Sequence, residues 1–319
     1  MIEVFVTQRH SEAEGICSFE LTAVDGSPLP PYEPGAHIDV HLPNRLIRQY
    51  SLCPGSKQVG RYLIAVLLEP TSRGGSAAVH ALQIGDRLHI GAPRNHFPLE
   101  AGALRSVLLA GGIGITPLLS MTEHLAARGA DFVLHYGARS AARMAFEERL
   151  HQESVAPHVH FHLDDGAPEQ KLVLAEALGA VTPGTHIYVC GPGGFMDWVL
   201  QGAREAGWPE AQLHREYFAA PARAQDLDAE DGAFQIQIGR DGAIHTVPAE
   251  RNVIEVLSEH GIEVPVSCEQ GVCGTCVTRV LKGQPDHRDS YLTEQERAAN
   301  DCFTPCCSRA HSQLLVLDL

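Results

Sequence analysis

The residues most able to do chemistry lie near the end of the chain. Cys268, Cys273 and Cys276 stand in C-x4-C-x2-C order within SCEQGVCGTC, and Cys306 and Cys307 follow about thirty residues on. That is the ligand spacing of a plant-type [2Fe–2S] centre, in which each iron takes two thiolates besides the bridging sulfides. Gly271 and Gly274 let such a loop fold tightly and bring backbone N–H groups near the sulfurs. A structural zinc site would pair a second short C-x2-C or two histidines with the first, and none follows Cys276 at a suitable distance. Inert buried cysteines are the other reading.

A second group of residues reads as a phosphate cradle with a flat ring beside it. Arg48-Gln49-Tyr50-Ser51 offers a guanidinium fork, an aromatic face and a hydroxyl able to bond a ring nitrogen, although alone it reads first as an ordinary strand end with an exposed Arg. Arg73-Gly74-Gly75-Ser76, at what reads as a helix start, adds backbone donors and a hydroxyl.

The third group is glycine at strand ends. Gly111-Gly112-Ile113-Gly114-Ile115-Thr116-Pro117 joins a strand-like run to a helix-like one, where a backbone can approach a pyrophosphate closely. Cys190-Gly191-Pro192-Gly193-Gly194 follows the strand-like HIYV. A tight turn without a ligand and a small buried cysteine are the plain alternatives.

The elements that must position these groups change character along the chain. Short β-rich runs at Ile2–Val6, His37–Leu42, Tyr62–Leu68 and Arg87–Ile90, broken by SPLPP, EPG and RGG, predict a small antiparallel β-barrel over residues 1–102. From Ser106 a strand, Gly turn, helix pattern begins. It continues through FVLHYGA and HIYVCGP with helix-compatible AFEERLHQE and LVLAEALG between, predicting an α/β domain with a parallel sheet over 103–224. Small, polar and acidic residues then mark a linker at 225–231, and FQIQIGRDGAIHTVP opens a last domain, 232–319, as a hairpin turning at Asp241-Gly242.

The chain has 319 residues, enough for several buried cores, and a net charge of −15, which argues against nucleic acid as a partner. From Gln225 onward 16 acidic residues face 7 basic ones. This is either an ordinary solvated surface or a face that steers onto a basic partner. Nine cysteines, an odd number, point to a reducing cytoplasm rather than to a disulfide framework. Neither a signal peptide nor a membrane span is expected, since the longest charge-free apolar stretch, Ser106–Thr122, is broken by Gly and Pro.

Taken together, Arg48–Leu52, Arg73–Ser76, GGIGITP, CGP and the cysteine loop with its ending CCSRAHSQLLVLDL resemble the phthalate dioxygenase reductase and vanillate demethylase reductase family over essentially the whole chain. The resemblance implies a multidomain fold in the order flavin barrel, nucleotide domain and α+β β-grasp ferredoxin. It implies FMN held by Arg48, Gln49, Tyr50, Ser51, Arg73, Gly74, Gly75 and Ser76, with Tyr50 on the ring, Ser51 near its N5, and Phe218 covering it. It implies NADH held by Gly111, Gly112, Gly114, Thr116, Asp164, Cys190, Gly191 and Pro192, with Thr116 and Cys190 flanking the nicotinamide and Glu216 near the flavin edge. Asp164 and Asp165 near the adenosine ribose favour a free diol, whereas Arg139 and Arg143 nearby could bind an extra phosphate. Cys306, preceding S-R-A, is the implied fourth cluster ligand. The implied acceptor is a Rieske-type terminal oxygenase.

The three cofactors explain one another. A nicotinamide delivers two electrons at once, a [2Fe–2S] cluster accepts one, and a flavin converts between them. The predicted function is therefore that of an NADH-dependent reductase component. The rivals are a stand-alone NADH oxidase or diaphorase and an iron–sulfur redox sensor.

Overall fold

The computed structural model describes residues 1–54, 60–70, 74–218 and 232–319, which divide into two compact units, 1–216 and 217–319. Arg73 and the expected linker, 225–231, lie outside the described residues.

In the first unit, β1 (Ile2–Ala13), β2 (Ile16–Ala23), β3 (His37–His41), β4 (Ile47–Cys53), β5 (Tyr62–Leu67) and β6 (Arg87–Ile90) close an antiparallel barrel in the order β1-β2-β5-β4-β3-β6. Its interior is filled by Phe19, Leu21, Ile38, Leu52, Ile64 and Ile90, all fully buried. Closure leaves no strand edge unpaired, so the mouth of the barrel is a rigid place to mount side chains. Helix α1 (Gly75–His80) lies beside β5. Strand β2 has no counterpart among the runs expected from the sequence. Six of its eight residues are buried, so ICSFELTA lacks the polar alternation that marks a half-exposed strand.

Five parallel strands follow: β7 (Arg105–Gly111), β8 (Phe132–Ala138), β9 (Val159–Leu163), β10 (Thr185–Cys190) and β11 (Leu213–Glu216), in the order β11-β10-β7-β8-β9. The order reverses between β7 and β10, the switch point at whose carboxyl ends open α/β sheets bind ligands. Helix α2 (Ile115–Ala127) starts there and buries Leu118, Leu119 and Met121 against Leu108, Leu134 and Tyr136 of the sheet, in a core shared with Cys53, Leu63 and Ala65 of the barrel. Barrel and sheet therefore share one hydrophobic core, and their facing ends are fixed against each other.

The helix-compatible segments between later strands shrink to single turns, α3 (Glu147–Leu150) and α4 (Leu174–Leu178). Gly179, at φ +62°, ends the second of them. Helix α5 (Gly193–Glu205) is full length.

The second unit is a β-grasp. The hairpin β12 (Phe234–Ile238) and β13 (Ile244–Val247) is joined by β18 (Leu314–Leu317), parallel to β12, and then by β14 (Thr278–Lys282) and β16 (Cys302–Phe303). Helix α6 (Val253–Glu259), with an Asn252/Glu255 capping box, packs Val253, Val256 and Leu257 on the sheet. A short pair, β15 (Pro285–Asp286) with β17 (Arg309–Ala310), and helix α7 (Glu294–Ala299) complete it.

Candidate functional site

In the first unit four elements end at one crevice. The turn after β7 and the turn after β10 pack backbone to backbone. A Cβ added to Gly114 would sit 2.2 Å from the Cys190 carbonyl oxygen, and one added to Gly191 would lie 3.0 Å from the Cα of Gly111. Gly112 adopts φ +53° between them. Only glycine allows this approach, so GGIG and CGP form one floor rather than two separate loops. Thr116, buried in the first turn of α2, closes its hydroxyl on the Ile113 carbonyl at 3.1 Å. The Cys53 thiol at the end of β4 donates to the Thr116 carbonyl at 3.8 Å.

Across the crevice, Ser51 Oγ donates to Glu216 Oε2 at 3.1 Å, joining barrel strand β4 to sheet strand β11. Cys190 is the strand partner of Glu216. Burial pushes the Glu216 carboxyl up to about 8, only partly offset by the Ser51 hydrogen bond. Burial likewise pushes the Cys190 thiol well up. At neutral pH the crevice thus presents a hydroxyl, a thiol and a carboxylic acid, with no full charge among the three. Pro192 lies exposed at its rim.

Along the barrel rim, Arg48 crosses above the start of α1. A Cβ on Gly75 would lie 2.9 Å from Arg48 Cγ and Nε. The two fragments RQYS and GGS, with 22 residues between them in sequence, therefore meet in space. Gly74 takes φ +95°, and the Ser76 hydroxyl accepts from the Glu69 amide at 3.1 Å. Tyr50 is half-buried, its phenol pushed up by burial. Gln49 is turned aside to Asp39, 3.2 Å away, which Arg94 also binds. Phe218 is 42% exposed, beyond the end of the first unit.

Asp164 and Asp165 are exposed at the end of β9, their amides bonded to the Ala138 and Arg139 carbonyls at 3.0 and 3.2 Å. Arg143 is paired with Glu14 of the barrel at 2.9 Å. An unforeseen support is Arg149, which binds Glu123 of α2 at 2.6 Å and the Pro54 carbonyl after β4 at 2.6 Å. It fixes the strand end that carries Ser51 and Cys53. Nothing in the sequence separates this arginine from a surface one, because both of its partners are distant in the chain.

In the second unit, Cys268, Cys273, Cys276 and Cys306 are all buried. Their side chains meet as two pairs, Cys268 with Cys273 and Cys276 with Cys306. The loop is wound through positive φ at Glu269, Gly271 and Gly274, which aims backbone amides at sulfur: Gln270 N to Cys268 at 3.3 Å and Thr275 N to Cys273 at 3.5 Å. Among the described residues no three of these side chains converge on one point, but two pairs of thiols with amide donors suit two irons that each take two cysteines and share a negative charge. Cys307 also touches Cys306, but its sulfur is held by Thr304 Oγ1 at 3.3 Å and packs against Gly271. Tyr291 fills the space above Gly274, where a Cβ would come within 2.2 Å of its ring.

Comparison with known proteins bears on both units. The 2Fe-2S iron-sulfur cluster binding domain matches residues 236–311, and the N-terminal domain of dimethylamine monooxygenase subunit DmmA-like proteins matches 92–213. A vanillate O-demethylase oxidoreductase of Pseudomonas sp. (strain HR199 / DSM 7063) is 56% identical over 320 residues, covering all of both chains. The carnitine monooxygenase reductase subunit of Escherichia coli (strain K12) is 38% identical, over 100% of this chain and 98% of its own. The solved structure of phthalate dioxygenase reductase, described as modular for electron transfer from pyridine nucleotides to [2Fe-2S], superposes with a TM-score of 0.74 at 38% identity, covering 100% of this chain and 98% of that one.

Proposed function

Because the chain belongs to the phthalate dioxygenase reductase and vanillate demethylase reductase family, and is thus an NADH-dependent flavin iron–sulfur oxidoreductase, we propose that its acceptor is a Rieske-type terminal oxygenase of the vanillate O-demethylase kind. The 56% identity over full length supports that acceptor above those of the more distant relatives. The observation that carries the reductase reading is the crevice where β4, β7, β10 and β11 end together.

Bound there, FMN would supply the conversion of a two-electron hydride from NADH into the single electrons that a [2Fe–2S] centre accepts. The chain's own residues supply position and environment. Gly111, Gly112, Gly114, Gly191 and Pro192 leave room for the dinucleotide at the switch point. Thr116 and Cys190 wall the nicotinamide, and the neutral Cys190 thiol places no charge beside a hydride in transit. Glu216 holds its proton at neutral pH and keeps the Ser51 hydroxyl in a fixed direction. Arg48, Gly74, Gly75 and Ser76 are the phosphate cradle, and Tyr50 is the ring contact. Asp164 serves the adenosine ribose, where a carboxylate favours a free diol. Cys268, Cys273, Cys276 and Cys306 hold the cluster. No described helix is long and apolar enough to cross a membrane. No two of the nine cysteines are joined as a disulfide, which supports a cytoplasmic setting.

An anaerobic NADH titration tests this reading. Bleaching of the flavin, a rhombic electron paramagnetic resonance signal, and NADH consumption coupled to vanillate demethylation by the cognate oxygenase are expected. Rapid turnover with dioxygen alone would instead mark a free-standing oxidase.

A further inference from the structure

Asp289 is the most thoroughly buried acid among the described residues of the second unit, its side chain 0% exposed. One carboxylate oxygen, Oδ2, accepts from the Tyr291 amide at 3.0 Å and the Leu292 amide at 2.6 Å, and faces Arg297 Nη2 at 3.6 Å. The other, Oδ1, has no hydrogen-bond partner among the described residues and stands 3.8 Å from His287 Nδ1. Arg297 also donates to the Asp289 carbonyl at 2.5 Å. A buried carboxylate so incompletely satisfied costs stability, and its retention calls for a physical reason.

Its location supplies one. The turn it organises is pinned to the cysteine loop: the Ser290 amide donates to the Gly271 carbonyl at 2.9 Å. A Cβ on Gly271 would meet the Asp289 Cα and Cβ at 2.9 Å on one side and the Cys307 sulfur at 2.4 Å on the other. Tyr291, two residues on, fills the space above Gly274. Asp289 thus braces both glycines around which the thiols turn, and sets a negative charge directly behind that loop.

We propose that Asp289 is a positioning residue of the cysteine loop whose carboxylate, partly balanced by Arg297, holds down the reduction potential of the [2Fe–2S] centre. The inference rests on the cluster assignment above. Reduction adds an electron to an already anionic group, and a fixed negative charge in a poorly solvated setting opposes it, whereas a fixed positive charge favours it. A lower potential makes the centre a stronger one-electron donor. The device is separate from the four ligands, as surrounding charge and hydrogen bonding tune such centres from outside them.

The test is a redox titration of the full, cluster-loaded flavoprotein, followed by the electron paramagnetic resonance of the reduced cluster, for wild type, D289N and R297Q. Asparagine keeps the shape and an acceptor oxygen for the two amides and removes only the charge. D289N is expected to raise the midpoint potential and R297Q to lower it. An unchanged potential in D289N, or shifts of the same sign in both variants, as a general loosening of the loop would give, overturns the proposal. Should D289N fail to retain the cluster, R297Q alone decides: a lowered potential upholds the proposal, and an unchanged or raised one overturns it. Absence of the cluster signal from wild type would be a failure of the cluster assignment, visible before any variant is made.

Discussion

The backbone of Gly114 passes so close to Cys190 that a single methyl group on its Cα would lie 2.2 Å from the Cys190 carbonyl oxygen. The turns after β7 and β10 are thus in contact without any side chain between them. Gly114→Ala forces them apart, at a cost of about 1–3 kcal/mol for an overpacked site. Single-turnover bleaching of the flavin by NADH should slow at least tenfold, with a lowered melting temperature. A variant with the wild-type rate would show that this contact does not shape the crevice.

Glu216 has a folded-state pKa near 8 against an ordinary 4.5. The sign follows from linkage: the folded protein keeps a proton that the unfolded chain loses above about pH 4.5, so stability falls as pH rises from there through about 8. Glu216→Gln removes that dependence. It is expected to melt higher than wild type at pH 8 and to differ little at pH 4.5, as thermal denaturation across that range will show.

His37, His135 and His214 behave oppositely, because desolvation lowers each from 6.5 to about 4. The unfolded chain takes up protons below about pH 6.5 that the folded one refuses until about pH 4, so stability drops across that window as pH falls. Urea midpoints at pH 7 and pH 5 should separate, and His37→Asn should narrow the gap. Equal gaps in wild type and variant would remove His37 from the account.

Cys306 and Cys307 are adjacent but differently placed: the first meets Cys276, and the second is held by Thr304 behind the loop. Cys306→Ser should lose most of the visible iron–sulfur absorbance and the reduced-cluster signal, and Cys307→Ser should retain both. The reverse pattern would reassign the fourth ligand.

Much of this was legible in the sequence where glycine or cysteine carried the meaning. GGIG, CGP and C-x4-C-x2-C report backbone approach and metal spacing directly, and both are local properties of the chain. The barrel was foreseeable from its turns, yet β2 was not, because burial on both faces erased its alternation. What could not be read were contacts between distant segments. Arg149 reaching Glu123 and Pro54, and Asp289 behind Gly271, involve residue types that are usually solvent-exposed. Only the fold reveals that they are supports.

The bond between Ser51 and Glu216 also sets an order of events during synthesis. All six strands of the barrel have emerged by Ile90, but the carboxyl that completes the crevice belongs to the sheet's last strand, 165 residues after the serine. Domains form as units from the N-terminus while the ribosome works. The barrel can therefore close early as an empty shell, and the crevice is finished only when β11 docks on β10. A nascent chain halted before Leu213 would carry Arg48, Ser51 and Ser76 without Glu216, so measuring flavin uptake by such stalled chains would separate what the barrel contributes from what β11 adds.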